Sequence, residues 1–147
     1  NFKGAVFAVD LLDMAPIDDV RFYQCDIETE EFLDWCNQHK SDGFDVIVSD
    51  MAPNMSGHQM TDQLRSGRLV ELVIETAESY LKTGGSVLVK VFHGSEFNQI
   101  LKELRLTYKQ VKVIKPEASR RASGEVYLLA TGKKTSSDSR GTRRVNE

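Results

Sequence analysis

The segment Val48-Ser49-Asp50-Met51-Ala52-Pro53-Asn54-Met55-Ser56-Gly57 indicates a strand that ends on an acid and a turn. It ends the run Phe44-Asp45-Val46-Ile47-Val48, which is apolar, rich in β-branched residues and short enough to be a buried strand. The strand breaks on Asp50, a Pro-Asn turn follows, and a long helical pattern begins after it. In an open α/β sheet this is the carboxyl end of a strand, where ligands bind. The alternative is that Asp50 only caps the next helix.

Two further strands carry a charge that their pattern does not require. The run Ser86-Val87-Leu88-Val89-Lys90-Val91-Phe92 predicts a buried strand with one lysine inside it. Burying an unpaired ammonium costs several kcal/mol, so Lys90 must be paired, open to a cleft, or shifted in pKa. The last predicted strand, 125–130, begins with Glu125. Together with Asp50 these residues favour a functional site over ordinary packing.

The first two predicted strands also end near acids. Ala5-Val6-Phe7-Ala8-Val9 is an apolar run followed by Asp10, and Val20-Arg21-Phe22-Tyr23-Gln24 is followed closely by Asp26. An acid at the first position commonly accepts hydrogen bonds from the ribose hydroxyls of an adenosine-containing cofactor. Asp26 is placed to accept from an adenine amino group. The alternative for each acid is a turn or a helix cap.

The remaining pattern predicts three helices and a hairpin. Thr29 is expected to cap a helix that runs to about His39, and a second helix from about 63 to 82 is expected to end at Thr83-Gly84-Gly85. A third helix follows His93-Gly94-Ser95. The strands 108–114 and 125–130 are too close for a crossover helix, so they should pair antiparallel. The predicted fold class is α/β, with a mostly parallel sheet closed by an antiparallel C-terminal hairpin.

Composition is typical of one globular domain. The 147 residues are 40% hydrophobic and 28% charged, and no apolar run approaches the roughly 18 residues of a membrane span. The two cysteines lack a Cys/His cluster around them and the three histidines are scattered, so we expect no metal site and a reducing compartment. Residues 1–62 carry three Lys/Arg against thirteen Asp/Glu, and residues 63–147 carry sixteen against nine. The second half therefore favours a phosphate-binding face, although a solvated basic tail would give the same count.

Three motifs resemble one family closely. Ser49-Asp50-Met51-Ala52-Pro53-Asn54, Val89-Lys90-Val91-Phe92 and the Lys115–Tyr127 segment with its Ser-Arg and Glu-Val-Tyr elements are similar to the FtsJ/RrmJ (RlmE) family. The resemblance runs in the correct order from Asn1 to about Lys134. These enzymes are S-adenosylmethionine-dependent ribosomal RNA 2′-O-methyltransferases with a Rossmann-like fold. The resemblance implies a domain over 1–134. Beyond it, the dominance of Ser, Thr, Gly and Arg predicts a disordered basic tail over 135–147.

The resemblance also implies roles for individual residues. The family uses a Lys-Asp-Lys-Glu tetrad, whose last three members match the catalytic candidates Asp50, Lys90 and Glu125. As an ammonium held by carboxylates, Lys90 would stabilise a developing alkoxide; as a neutral amine, it would take the hydroxyl proton. The implied S-adenosylmethionine-binding residues are Asp10, Leu11, Asp26, Ile27 and Asp50.

Basic residues near the C-terminal hairpin are predicted to meet RNA phosphates. A merely solvated face is the alternative. The resemblance implies a cytoplasmic enzyme that acts on large-subunit ribosomal RNA or the large subunit, at a uridine, and that is a monomer when its domain is complete. The predicted RNA-binding residues are Lys112, Lys115, Arg120 and Arg121.

The sequence departs from the family pattern at its front. The family's first lysine, glycine-rich cofactor loop and first strand lie upstream of the strand at Ala5 and are not in this sequence. We therefore expect residues 1–147 alone to bind S-adenosylmethionine weakly, to transfer no methyl group and to self-associate. Two rival interpretations remain: a catalytically inactive RNA-binding fragment, and a nicotinamide-dependent oxidoreductase, which would also place an acid after its second strand.

Overall fold

The computed structural model describes residues 4–39, 42–52, 56–115 and 124–135. The chain divides into two compact units, Asn1–Ser41 and Asp42–Glu147. In the part that the structure describes, no helix combines the length and apolar character needed to span a membrane. The described residues also contain no group of three or more His, Cys, Asp or Glu arranged to hold a metal ion.

The first unit contains two strands and one helix. Strands β1 (Val6–Asp10) and β2 (Val20–Gln24) pair in parallel, which confirms both predicted strands to within one residue. Helix α1 (Glu30–His39) begins after Thr29, whose Oγ1 accepts a hydrogen bond from the Phe32 N–H over 3.4 Å. This is the predicted N-cap.

The buried face of α1 is narrower than its periodicity suggests. Phe32 and Cys36 are buried, whereas Leu33, which follows Phe32 and is also apolar, is 46% exposed. Burial also raises the pKa of the Cys36 thiol to about 11, because a low-polarity environment disfavours the thiolate.

The second unit is a mixed four-stranded sheet with two helices. Its elements are β3 (Phe44–Ser49), α2 (Gln59–Tyr80), β4 (Leu81–Phe92), α3 (Phe97–Thr107), β5 (Tyr108–Ile114) and β6 (Glu125–Lys133). The strand order is β3-β4-β6-β5. Strands β3 and β4 are parallel, while β6 lies antiparallel to both β4 and β5. The predicted antiparallel hairpin is therefore confirmed.

The two faces of this sheet differ sharply in burial. Alternate residues of β4 and β6 pack with α2 and α3 in one hydrophobic cluster, so this face is the core. Its strand members are Val87, Val89, Val91, Val126, Leu128 and Ala130. Lys90 and Tyr127 belong to the opposite, partly exposed face, as period-two alternation requires. On the same face of the edge strand β3, Val46 is 59% and Val48 is 65% exposed.

The end of α2 differs from the prediction. The helix ends at Tyr80, and the glycines expected to terminate it lie inside β4, where Gly84 adopts a φ of +85°. The ammonium of Lys133 instead caps the helix, since its Nζ donates to the carbonyl oxygens of Ala77 (2.9 Å), Glu78 (2.6 Å) and Leu81 (2.8 Å). A cation at this end also complements the helix dipole, so a left-handed glycine cap is not needed.

Candidate active site

Three predicted site residues come together at the carboxyl ends of β3 and β4. The Lys90 Nζ lies 2.8 Å from Asp50 Oδ1 and 3.8 Å from Glu125 Oε2. The sheet register explains the meeting: Ser49 pairs with Val89, so Asp50 follows beside Lys90, and Glu125 pairs with the neighbouring Phe92. The lysine side chain is only 18% exposed. It is therefore paired rather than isolated, which was one of the three outcomes that its position required.

A fourth residue, Tyr127, belongs to this cluster and was not singled out from the sequence. It pairs with Lys90 across β4 and β6, and its ring centroid lies 5.9 Å from the Lys90 Nζ. The Tyr127 hydroxyl donates to Asp50 Oδ1 over 2.6 Å. The same carboxylate oxygen thus receives hydrogen bonds from both the lysine and the tyrosine. The sequence signal was the two-residue spacing from Glu125, which puts both side chains on one face of β6.

These contacts fix the charge of each group. Hydrogen bonds from Lys90 and Tyr127 hold the pKa of Asp50 below its ordinary value. The same bond to Asp50 raises the pKa of Lys90, with the nearby charges of Asp50 and Glu125 adding to it and partial burial opposing it. Near neutral pH the site therefore contains an ammonium and a carboxylate in direct contact.

The first unit brings two of the predicted cofactor-binding acids to one sheet edge. Asp10 ends β1, and the Cys25 N–H, one residue before Asp26, donates to the Asp10 carbonyl over 3.0 Å. The side chains form short local turns: Asp10 Oδ1 accepts from the Leu12 N–H (3.0 Å), and Asp26 Oδ1 accepts from the Glu28 N–H (2.9 Å). Both acids are exposed and use one carboxylate oxygen in these turns, so each keeps an oxygen for an external donor.

The apolar residues that follow these two acids differ in their exposure to solvent. Leu11 is 63% exposed, which suits an apolar side chain that covers a flat ligand, whereas Ile27 is half-buried. Both remain predicted cofactor-binding residues.

Two of the four predicted RNA-binding residues fall within the described structure. Lys112 and Lys115 are exposed on and directly after the edge strand β5. Arg120 and Arg121 lie outside the described residues, as does the predicted tail beyond Thr135. The side chain of Lys112 belongs to the same sheet face as Tyr127, because Ile114, two residues later, pairs with Tyr127.

Solved structures of other proteins share this fold. A ribosomal RNA methyltransferase from Plasmodium falciparum superposes with a TM-score of 0.78 at 26% identity, over 90% of this chain and 74% of that one. Human methyltransferase-like protein 13, solved in complex with SAH, gives a TM-score of 0.58 at 14% identity, over 95% and 68%. The α/β architecture is therefore that of the Rossmann-like methyltransferases.

Similarity to curated proteins identifies the family more specifically than the shared fold does. Proteins named ribosomal RNA large subunit methyltransferase E from Chromobacterium violaceum and Buchnera aphidicola are 48% and 42% identical to this chain. Each alignment covers 90% of this chain, but only 65% and 63% of the relative, so the chain spans a little under two thirds of their length. The model of the FtsJ-like methyltransferase family matches residues 1–133. The chain therefore belongs to the FtsJ-like methyltransferase family.

Proposed function

We propose that the protein to which this chain belongs transfers a methyl group from S-adenosylmethionine to a ribose 2′-hydroxyl of large-subunit ribosomal RNA. The observation that carries the proposal is the contact of Lys90 with Asp50 and Glu125 at the carboxyl edge of the sheet. The family assignment and the names of the relatives support the reaction class and the RNA substrate.

The hydrogen-bond acceptors of the first unit suit the proposed cofactor. Free carboxylate oxygens at Asp10 and Asp26 match the hydroxyl and amino donors of an adenosine group. When bound, S-adenosylmethionine supplies a sulfonium methyl that is already activated toward nucleophiles. The protein is left to position the hydroxyl and to manage its proton.

Lys90 is proposed to act as a fixed ammonium rather than as a neutral base. An ammonium has three donors; one is directed at Asp50 over 2.8 Å, while Glu125 Oε2 lies 3.8 Å away as an ion-pair partner, so a donor is available for the 2′-oxygen. Because the bond to Asp50 raises the pKa of Lys90, a neutral amine is disfavoured at physiological pH. The ammonium stabilises negative charge on the oxygen as its proton leaves.

Asp50 is the proposed proton acceptor and Glu125 orients the lysine. As the 2′-oxygen is methylated, its proton would pass to the Asp50 carboxylate and then to water. A carboxylate with a lowered pKa is a weak base, yet it suffices because the hydroxyl becomes strongly acidic while it is being alkylated. Tyr127 keeps Asp50 in place through its hydrogen bond.

The second candidate function is RNA binding without catalysis. It is favoured by the basic composition of the second half of the chain and needs no intact cofactor site. The nicotinamide-dependent alternative has no support from the family assignment.

One experiment separates these functions. The intact protein is incubated with methyl-labelled S-adenosylmethionine and large ribosomal subunits or their RNA, and the RNA is then hydrolysed in alkali. Ribose 2′-O-methylation blocks cleavage at the adjacent phosphodiester, so the label should appear in an alkali-resistant dinucleotide. Label in mononucleotides would indicate base methylation, and RNA binding without incorporated label would support the non-catalytic alternative.

A further inference from the structure

A small crevice with a mixed polar and apolar lining opens near the active site on the side of the core helices. It lies between the first half of α2, the end of β4 and the start of α3, entirely within the second unit. Polar and apolar residues line it, among them Glu96, Gln63, Ser66 and Ser95 on the polar side and Val70, Val91 and Ile100 on the apolar side. The Glu96 carboxylate and the Gln63 carboxamide therefore lie at one opening near the carboxyl end of β4.

Two glycines allow these polar groups to approach. Gly67 lies in the interior of α2, where glycine costs about 1 kcal/mol relative to alanine. A Cβ at this position would come within 2.0 Å of Glu96 Oε2, so the missing side chain is what admits the carboxylate. On the other wall, a Cβ at Gly94 would lie 3.3 Å from the Gln63 carboxamide. The crevice is therefore built around the absence of two side chains.

The Glu96 carboxylate has unused hydrogen-bonding capacity. It precedes α3 but makes no side-chain cap, and none of the described residues donates a hydrogen bond or an ion pair to it. An ionised carboxylate is an acceptor with two oxygens, and it pairs best with two parallel N–H donors. The crevice thus offers a bidentate acceptor to a ligand.

The crevice is close enough to the reacting residues to contact the same RNA. Phe92 lines it and pairs with Glu125, whose carboxylate lies 3.8 Å from the Lys90 Nζ. Phe92 is two residues beyond Lys90 on an extended strand, a separation of about 6.6 Å. The crevice and Lys90 thus lie at the same carboxyl end of β4 but on opposite faces of the sheet, so an RNA strand that crosses this edge would bring the nucleotide next to the methylated one to the crevice.

We propose that this crevice binds the Watson–Crick edge of a guanine that flanks the methylated nucleotide, with Glu96 accepting from the guanine N1–H and N2–H groups. Guanine is the RNA base that presents two adjacent N–H donors on this edge. Proteins commonly read unpaired RNA through Watson–Crick edges. A carboxylate would repel the RNA backbone, so its contribution depends on a base that supplies both donors. The inference rests on the proposed function and adds a sequence preference to it.

The test compares flanking bases in the wild-type protein and three variants. The methylated position is mapped first; each flanking position is then made in all four base identities, in synthetic RNA or in whole large subunits, whichever the wild type methylates. For one flank, the wild type should prefer guanine over adenine in kcat/KM by roughly 5- to 150-fold, the range of one bidentate base contact. Glu96→Gln should lower that ratio to within about twofold of unity, because a carboxamide has one acceptor.

Two further variants separate recognition from folding. Gly67→Ala raises helix propensity while its Cβ displaces the Glu96 carboxylate, so the guanine preference should fall although the fold is retained. Glu103→Gln, the same substitution on the exposed side of α3, should keep the wild-type preference. A wild type with no flanking preference, or a preference that survives in Glu96→Gln, would overturn the crevice assignment alone. Absence of methyl transfer to every RNA would overturn the proposed function together with it.

Discussion

Tyr127 and Asp50 are 77 residues apart in sequence, and the tyrosine hydroxyl donates to Asp50 Oδ1 over 2.6 Å. Lys90 Nζ lies 2.8 Å from the same oxygen. The carboxylate is thus held from two strands, β4 and β6, while its own backbone belongs to the end of a third. This arrangement keeps Asp50 ionised and leaves its second oxygen for the proposed contact with the substrate hydroxyl.

Tyr127→Phe is expected to weaken this arrangement without disturbing the sheet. The ring and its packing remain, but the pKa of Asp50 should rise because one of the two hydrogen bonds that lower it is removed. A carboxylate with a depressed pKa works above that pKa and fails as the pH falls through it. The acid limb of the kcat profile should therefore move to higher pH, with turnover at neutral pH reduced by about tenfold or less. Profiles of kcat against pH for both proteins decide this, and superimposable acid limbs would show that the tyrosine does not set the state of Asp50.

The sequence predicts the position of Lys90 but not the role of Tyr127, for a physical reason. A charge inside an apolar strand demands a partner, so Lys90 is conspicuous without any structure. A tyrosine in a strand satisfies ordinary packing preferences, and its partner depends on the register between β4 and β6. The alternation of side chains along a strand predicts which face of the sheet a residue lies on. Its neighbour on the adjacent strand depends on the register between the two strands, which the sequence does not show.

The same limit applies to the end of α2. Its apolar spacing predicts the helix, and Gly84-Gly85 predicts where the helix stops. The helix instead ends at Tyr80, where Lys133, from a strand more than 50 residues later in the chain, donates to the carbonyl groups. The glycine pair is a local sequence signal, whereas the contact with Lys133 joins residues that are far apart in the chain. A short segment of sequence therefore cannot predict it.

Lys133→Met should therefore destabilise the second unit. The variant keeps the apolar length of the side chain and removes the cation that satisfies three carbonyl groups at the helix end. We expect a loss of about 1–2 kcal/mol in the free energy of unfolding. Urea unfolding followed by helical circular dichroism measures it; the fluorescence of Trp35 would report on the first unit. Lys134→Met is the matched control, and equal midpoints for all three proteins would rule out the cap.

The predicted RNA face can be tested through its salt dependence. Replacing Lys112 and Lys115 by Gln should weaken RNA binding and reduce the slope of log K against log salt by roughly one unit for each phosphate that the protein no longer neutralises. The same change at Arg120 and Arg121 should act in the same direction. S-adenosylmethionine affinity should not change in any of these variants. Lys102→Gln on α3 is the control. If the slope of log K against log salt is unchanged by the substitutions at the four predicted positions, these residues are solvated surface residues that do not bind RNA.

The edge strand β3 should promote self-association of the 147-residue chain. Val46 and Val48 are 59% and 65% exposed on a strand that has one neighbour in its sheet, and an apolar edge readily pairs with another chain. Changing both to Lys should lower the weight-average sedimentation coefficient at high protein concentration. Val113→Lys on the other edge strand, where the side chain is 48% exposed, should have little effect. A wild-type chain that stays monomeric across the concentration range would contradict the expectation.

Lys90, held by Asp50 and Glu125, is proposed to stabilise the reacting oxygen. Single-turnover methyl transfer by Lys90→Ala in the intact protein tests it most directly, with cofactor affinity measured by calorimetry on the same samples. Removing a group that acts mainly in the transition state should lower the rate by at least about 100-fold and leave S-adenosylmethionine affinity within about twofold of the wild type. A rate within about threefold of the wild type, less than about 1 kcal/mol of barrier, would contradict the proposed role of Lys90.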